Sequence, residues 1–122
     1  MSTSSGYLLL FRGTRWDHDL SPEKAKEVMD RWIGWFERLT EEGKAKAGQP
    51  LATEGKIVSG KNGQTVADGP FAESKEAIAG YFYLQVASLE EAVEIAKACP
   101  GLEYGMSVEG RAVAEQIGRA PQ

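Results

Sequence analysis

Gly80-Tyr81-Phe82-Tyr83-Leu84-Gln85-Val86-Ala87 runs without a break into Ser88-Leu89-Glu90-Glu91, and this junction decides the fold. Residues 80–87 have the aromatic and β-branched content of a strand, with Phe82, Leu84 and Val86 on one face and Tyr81, Tyr83 and Gln85 on the other. Ser88 and Glu91 then stand at the spacing of a capping box, which starts a helix by satisfying its first free N–H groups. Ala92, Val93, Ala96 and Cys99 follow on one helical face, and Pro100-Gly101 stops the helix. Residues 103–113 alternate again, with Tyr104, Met106 and Val108 on one side and Ser107 and Glu109 on the other. The C-terminal half therefore reads as strand, helix, strand.

The N-terminal half repeats this order. Tyr7-Leu8-Leu9-Leu10-Phe11 is a nearly unbroken apolar run, the pattern of a central strand buried on both faces. Ser21-Pro22-Glu23 supplies a helix cap, a proline suited to the first turn and an acid at the positive end. From Ala25 to Leu39 the apolar residues, among them Val28, Met29, Trp32, Ile33, Trp35 and Phe36, fall within an arc of roughly 160°, wide enough to lie on a sheet. Gly43 ends this helix. Residues 44–54 show little periodicity and contain Pro50, so a weak edge strand and a loop are expected. Lys56-Ile57-Val58-Ser59 and Gln64-Thr65-Val66-Ala67 flank Asn62-Gly63, the pair that supplies the two positive φ values of a tight hairpin turn. Asp68-Gly69-Pro70 turns the chain toward the strand that opens this section.

The order strand, helix, hairpin, strand, helix, strand predicts an α+β, ferredoxin-like split βαβ sandwich, with two main helices on one face of a mainly antiparallel sheet. At 122 residues a single domain spanning 1–122 is expected, with flexible tails at 1–5 and 114–122. No apolar run approaches the ~18 residues of a membrane span, and the N-terminal residues lack the basic start of a secretory signal, so a cytoplasmic protein is expected. The net charge of −4, with Lys and Arg scattered, gives no footprint for a phosphate backbone, which argues against nucleic acid. The one cysteine, Cys99, excludes an intrachain disulfide and falls on an apolar stripe, as a buried, inert thiol does.

Tyr81 and Tyr83 cover too much apolar area to be left in water, yet their hydroxyls need partners. An amphipathic cover is required, and a second copy of the chain packed sheet to sheet about a twofold axis supplies one. A homodimer is therefore expected, with a partly polar cleft between the layers.

Candidate chemistry centres on few residues. Asp68, before Gly69-Pro70 at a strand end, could act as a base in a dry cleft, or could fix the turn by accepting backbone N–H bonds. Phe71 could pin the same turn to the core or line the cleft. His18 is the only imidazole, and Arg15, Asp17 and Asp19 around it have the character of a solvated loop. Arg12, at the end of the first strand, could hold a substrate carboxylate or pair with a local acid. One His and one Cys among scattered acids make no metal set, and no glycine-rich phosphate loop is present, so neither metal nor cofactor is expected.

Trp32-Ile33-Gly34-Trp35-Phe36, Asp68-Gly69-Pro70-Phe71-Ala72-Glu73, Gly80-Tyr81-Phe82 and Cys99-Pro100 together resemble the bacterial YCII-related proteins of the DGPF type. The resemblance covers most of the chain. It implies a dimeric α+β barrel, in the structural group of muconolactone isomerase and small cofactor-free monooxygenases, in a family often encoded beside sigma factors and mostly without an assigned reaction. Some members of the wider group resemble lyases that use a His in the first helix paired with an Asp. Here Asp30-Arg31-Trp32 stands at that place and His18 precedes the helix, so that dyad does not carry over.

Two functions are then expected. One is a cofactor-free isomerase or lyase acting on a small molecule in a cleft at the dimer interface, with Asp68 or His18 moving the proton and Arg12, Phe71, Tyr81 and Tyr83 holding the substrate. The other is a non-catalytic dimeric module that binds a small molecule or serves a sigma-factor pathway.

Overall fold

The structure is a computed structural model that describes residues 5–13, 16, 17, 19–52, 54–69 and 77–114. Strand β1 (Ser5–Arg12) leads to helix α1 (Pro22–Glu41) and strand β2 (Ala45–Pro50). A hairpin of β3 (Lys56–Ser59) and β4 (Thr65–Asp68) follows, then β5 (Ile78–Val86), α2 (Leu89–Ala96), a 3-10 turn (Pro100–Tyr104) and β6 (Ser107–Ala112). The main sheet has the order β2-β5-β1-β6 and every neighbouring pair is antiparallel. Each crossover, β1-α1-β2 and β5-α2-β6, spans one intervening strand, which is the ferredoxin-like α+β arrangement expected from the order of elements.

Local signals start both helices. Ser21 Oγ accepts a hydrogen bond from the Lys24 N–H at 3.1 Å, with Pro22 in the first turn. Ser88 Oγ accepts from the Glu91 N–H at 3.1 Å, and Glu91 Oε1 reaches back to accept from the Ala87 N–H at 3.1 Å. The reciprocal bond thus lands one residue before the cap. Past the end of α1, Gly43 takes φ +77°, the left-handed conformation that closes a helix with little strain only on glycine.

The core lies between the helices and one face of the sheet. Tyr7, Leu9 and Phe11 of β1 and Phe82, Leu84 and Val86 of β5 meet Trp35 and Leu39 of α1 and Ala92 and Ile95 of α2. Leu9, Leu84 and Val28 are fully buried. Phe11 and Phe82 stand edge to face at 4.8 Å, and Trp35 lies 5.0 Å from Phe82.

Four expectations need correction. β1 is central, but of its apolar run Tyr7–Phe11 only Tyr7, Leu9 and Phe11 are buried; Leu8 and Leu10 face away from the helices and are half-buried, because the helices cover one face only. The strand that completes the sheet is the weak one, β2, whereas the β3–β4 hairpin stands apart as an exposed two-stranded ribbon. Register explains this: Ile57 is opposite Ala67 and Val58 opposite Val66, so the four apolar residues are split between two faces and neither can close on the core. Asn62 and Gly63 do take positive φ, 61° and 69°, but inside a longer loop, since Ser59 pairs with Thr65. Finally, residues 100–104 form a 3-10 turn, and the last strand starts at Ser107. Of the expected tails, Ser5 opens β1 opposite Val86, and Ala114 is described beyond β6; residues 1–4 and 115–122 lie outside the described residues.

Candidate functional site

The sheet has two faces, and each presents a candidate surface. On the face away from the helices, ladder register sets Leu8 opposite Tyr83 and Leu10 opposite Tyr81 across the β1–β5 pair. On the other side of β1, Leu8 is opposite Arg111 and Leu10 opposite Glu109. The result is an apolar and tyrosine centre, half-buried in the single chain, with charged groups toward β6. Arg12 reaches Glu109 here: its Nε donates to Oε1 at 2.8 Å and one terminal nitrogen donates to the same oxygen at 2.5 Å.

On the helix side, a cavity of about 480 Å³ opens between α1, the end of β2 and the start of β5. Helix α1 supplies Met29, Trp32, Ile33 and Phe36, spaced three or four apart so that all share one face. The sheet contributes Phe11, Phe82, Ala79 and the backbone around Gly48 and Gly80. Trp16 and Asp17, from the turn that precedes the helix, close one side. The aromatic rings contact one another: Trp32 lies 5.2 Å from Phe11 at 81°, Phe36 lies 4.8 Å from Phe82, and Trp16 lies 6.0 Å from Trp32 at 46°. Gly48 lets the rings of Phe36 and Phe82 close on the β2 backbone, since a Cβ built there would lie 2.9 Å from a carbon of each, and the small Ala79 lines the space beside them. Ile33, half of whose surface is exposed, marks the rim.

Asp17 is the only charged residue among the described lining residues, and it is exposed at the rim. Among the described residues no polar or charged side chain is buried, and no group of three or more His, Cys, Asp or Glu could hold a metal ion. A site of this kind can enclose an apolar body and orient it through one carboxylate. No helix of the described chain is long and apolar enough to cross a membrane.

The residues singled out from the sequence do not form one cluster. Arg12, Tyr81 and Tyr83 lie on the face away from the helices, and Arg12 is paired with an acid, Glu109, that is distant in sequence and brought to it by the β1–β6 ladder. Asp68 ends β4 on the exposed ribbon, 77% of its side chain in solvent, and forms an ion pair with Lys56, its partner in the ladder. His18 and Phe71 lie outside the described residues. Cys99 is buried just after α2, and desolvation pushes its thiol up to about 11, against two backbone N–H groups that act in the opposite direction. The cavity on the helix side was not foreseen. Its signal was the width of the α1 stripe, which holds more large apolar residues than two strands with Gly48 and Ala79 on them can cover.

No curated protein matches the sequence. The sequence model of the YCII-related domain matches residues 9–116, which takes in the second half of β1, both helices, the cavity lining and both Tyr81 and Tyr83. With all but the ends of its sequence covered by that match, the chain belongs to the YCII-related domain family.

Proposed function

We propose that this chain binds a small, largely apolar molecule in the cavity between α1 and the β2–β5 side of the sheet, and that it does so as a homodimer packed through the opposite face. One observation carries the reading: a preformed space of about 480 Å³, walled by Phe11, Trp16, Trp32, Phe36 and Phe82, within the size range of small-molecule sites. The dimer is supported by Leu8, Leu10, Tyr81 and Tyr83, which make a continuous apolar and aromatic strip that a second sheet would cover. The ligand pocket and the dimer interface then occupy opposite faces, so the cleft at the interface is not where the ligand sits.

The test is a fragment screen of the full chain, read by tryptophan fluorescence and by shifts of the indole N–H resonances. Small aromatic compounds should perturb Trp16 and Trp32. An Ile33→Trp variant, which fills the rim from an exposed position, should weaken them at least several-fold while the chain stays folded. If hits bind both chains equally, the cavity is not their site.

A second reading is a cofactor-free isomerase or lyase. The observation that favours it is Asp17, a carboxylate at the rim of an otherwise apolar space, where a base could take a proton from a bound molecule. Product formed from a bound compound, and lost in Asp17→Asn, would establish it. Turnover unchanged in that variant would leave the binding reading alone. Asp68→Asn should leave any turnover unchanged, since Asp68 stands in solvent beside Lys56.

A further inference from the structure

The β3–β4 ribbon finds no cover among the described elements of its own chain. Lys56–Ser59 and Thr65–Asp68 are exposed along their whole length, and the Gly69 N–H closes the base of the ribbon by donating to the Gly55 carbonyl at 3.2 Å. Its substantial contacts are internal, strand to strand and strand to connecting loop. A two-stranded ribbon is marginally stable at best in water and persists when a third strand or a packed surface supports it.

Exposed apolar surface is concentrated on this ribbon. Val58 and Val66 stand directly opposite each other and, at 62% and 61% exposure, are the most exposed large apolar residues of the described chain. Lys56 and Asp68, which form an ion pair, share their face, and Ile57 is exposed on the other.

The size of the proposed dimer, on which this inference rests, indicates what covers the valines. Four strands of six to nine residues present an outer face of roughly 400–500 Å² in projection. Such a face makes a small interface, against the about 800 Å² per partner that a stable complex buries. The ribbon hangs from the same sheet, between β2 and β5, and residues 51–55 alone can span up to about 17 Å, enough to carry it past its own edge strand. Charge favours the same occupant, since the ribbon and its loop have Lys56 and Lys61 to one aspartate, on a chain whose net charge is −4.

We propose that the β3–β4 ribbon is a dimerisation arm: in the homodimer each copy lays its ribbon against the other, with Val58 and Val66 buried in the contact. The tyrosine face and the arm are then two parts of one interface, and the arm is ordered by the partner it holds.

The test is amide hydrogen exchange of the full chain, read by mass spectrometry in peptides covering residues 56–68, with sedimentation to fix the oligomeric state. A ribbon without cover opens readily and exchanges fast. Its ladder amides should therefore exchange at least tenfold more slowly where the chain is dimeric than after dilution to the monomer. The second readout is the double variant Val58→Thr, Val66→Thr, which keeps strand propensity and places hydroxyls in the contact. It should raise the dimer dissociation constant at least tenfold, and it should fold, since both residues are exposed in the single chain. A dimer whose ribbon exchanges as fast as the monomer's overturns the arm and leaves the dimer standing. Equally slow exchange in both states overturns it too, by placing the ribbon's cover within its own chain, as does a double variant that dimerises like wild type. A wild-type chain that is monomeric at micromolar concentration overturns this inference together with the dimer on which it rests.

Discussion

The ring of Tyr83 fills the space where a side chain on Gly6 would stand. A Cβ built on Gly6 would lie 2.9 Å from both Cε1 and Cζ of that ring, and closer still to its hydroxyl oxygen. The two are diagonal neighbours on the face away from the helices, since Leu8 is opposite Tyr83 and Gly6 opposite Gln85. A glycine in a central strand forgoes side-chain packing, and here the tyrosine replaces what is missing.

Gly6→Ala should therefore displace Tyr83 rather than unfold the chain, because the ring is on the outer face of the single chain and can swing away from the sheet, at the expense of its packing in the proposed dimer. A loss of about 1 kcal/mol is expected, with a melting temperature lower by a few degrees. Gly6→Ala in a Tyr83→Ala background should lose none of this, because the clash is gone. A double-mutant cycle by thermal denaturation measures the difference, and additive losses would show that the contact is not responsible.

Arg12 and Glu109 make the second cross-strand relationship on this face, with both side chains about a third exposed. Two nitrogens of one guanidinium converge on one carboxylate oxygen, so the pair fixes the end of the β1–β6 ladder better than a single contact would. Glu109→Gln should cost about 0.5–1 kcal/mol in low salt, and the difference should shrink at 1 M salt, where exposed charges are screened. Urea denaturation of both chains at two ionic strengths checks it. An effect independent of salt would mean that the packing of the two stems, not their charge, is what matters.

Which features were legible follows from which interactions are local. Ser21-Pro22, Gly43 and the Ser88/Glu91 box act within one turn of chain, and both helices begin where those residues place them. Strand β2 was faint because Ala45-Lys46-Ala47-Gly48-Gln49-Pro50 has almost no propensity of its own; it is a strand because β5 offers it an edge. Residues 103–113 alternate in hydrophobicity, yet just before them Gly101 is buried with Trp32 Cζ3 2.9 Å from where its Cβ would lie, and the chain turns through Tyr104 to pack instead of extending. Glu109, with which Arg12 pairs, is 97 residues away in sequence, beyond any local rule. The cavity was the least visible, being a property of how α1, the end of β2 and the start of β5 come together, which no single segment encodes.

Burial of Cys99 gives the chain a pH dependence of known sign. Its thiol ordinarily loses its proton near 9.0, and in the fold near 11, because the thiolate would have to sit in an apolar interior. Below pH 9 the thiol is protonated whether the chain is folded or not. Between about 9 and 11 the unfolded chain releases the proton and the folded chain keeps it, so stability falls as pH rises through this window, by up to roughly 2–3 kcal/mol. Lysines and tyrosines titrate in the same range, and Cys99→Ala isolates the contribution: the difference in unfolding free energy between the two chains should move by that amount between pH 8.5 and 11. The same burial should make the native thiol slow to react with iodoacetamide at pH 8 and fully reactive in denaturant. A pH-independent difference, or rapid labelling of the native chain, would mean that the thiol is exposed to water in solution.

The proposed dimer can be separated from the fold by one residue. Leu8 lies in the middle of the apolar strip, between Tyr83 on β5 and Arg111 on β6. A glutamate there would put a charge into a sheet-to-sheet interface, where desolvation costs several kcal/mol, while within one chain it stands opposite an arginine. Leu8→Glu should therefore sediment as a folded monomer at concentrations where the wild-type chain is a dimer, with a circular dichroism spectrum like that of wild type. The apolar compounds that bind the helix-side cavity should still bind this monomer, since the described lining residues belong to one chain and Phe11 and Phe82, which floor the cavity, are on the face of the sheet opposite Leu8. A wild-type chain that is a clean monomer at micromolar concentration sinks the dimer. A Leu8→Glu monomer that has lost ligand binding would instead mean that the cavity needs the partner to hold its shape.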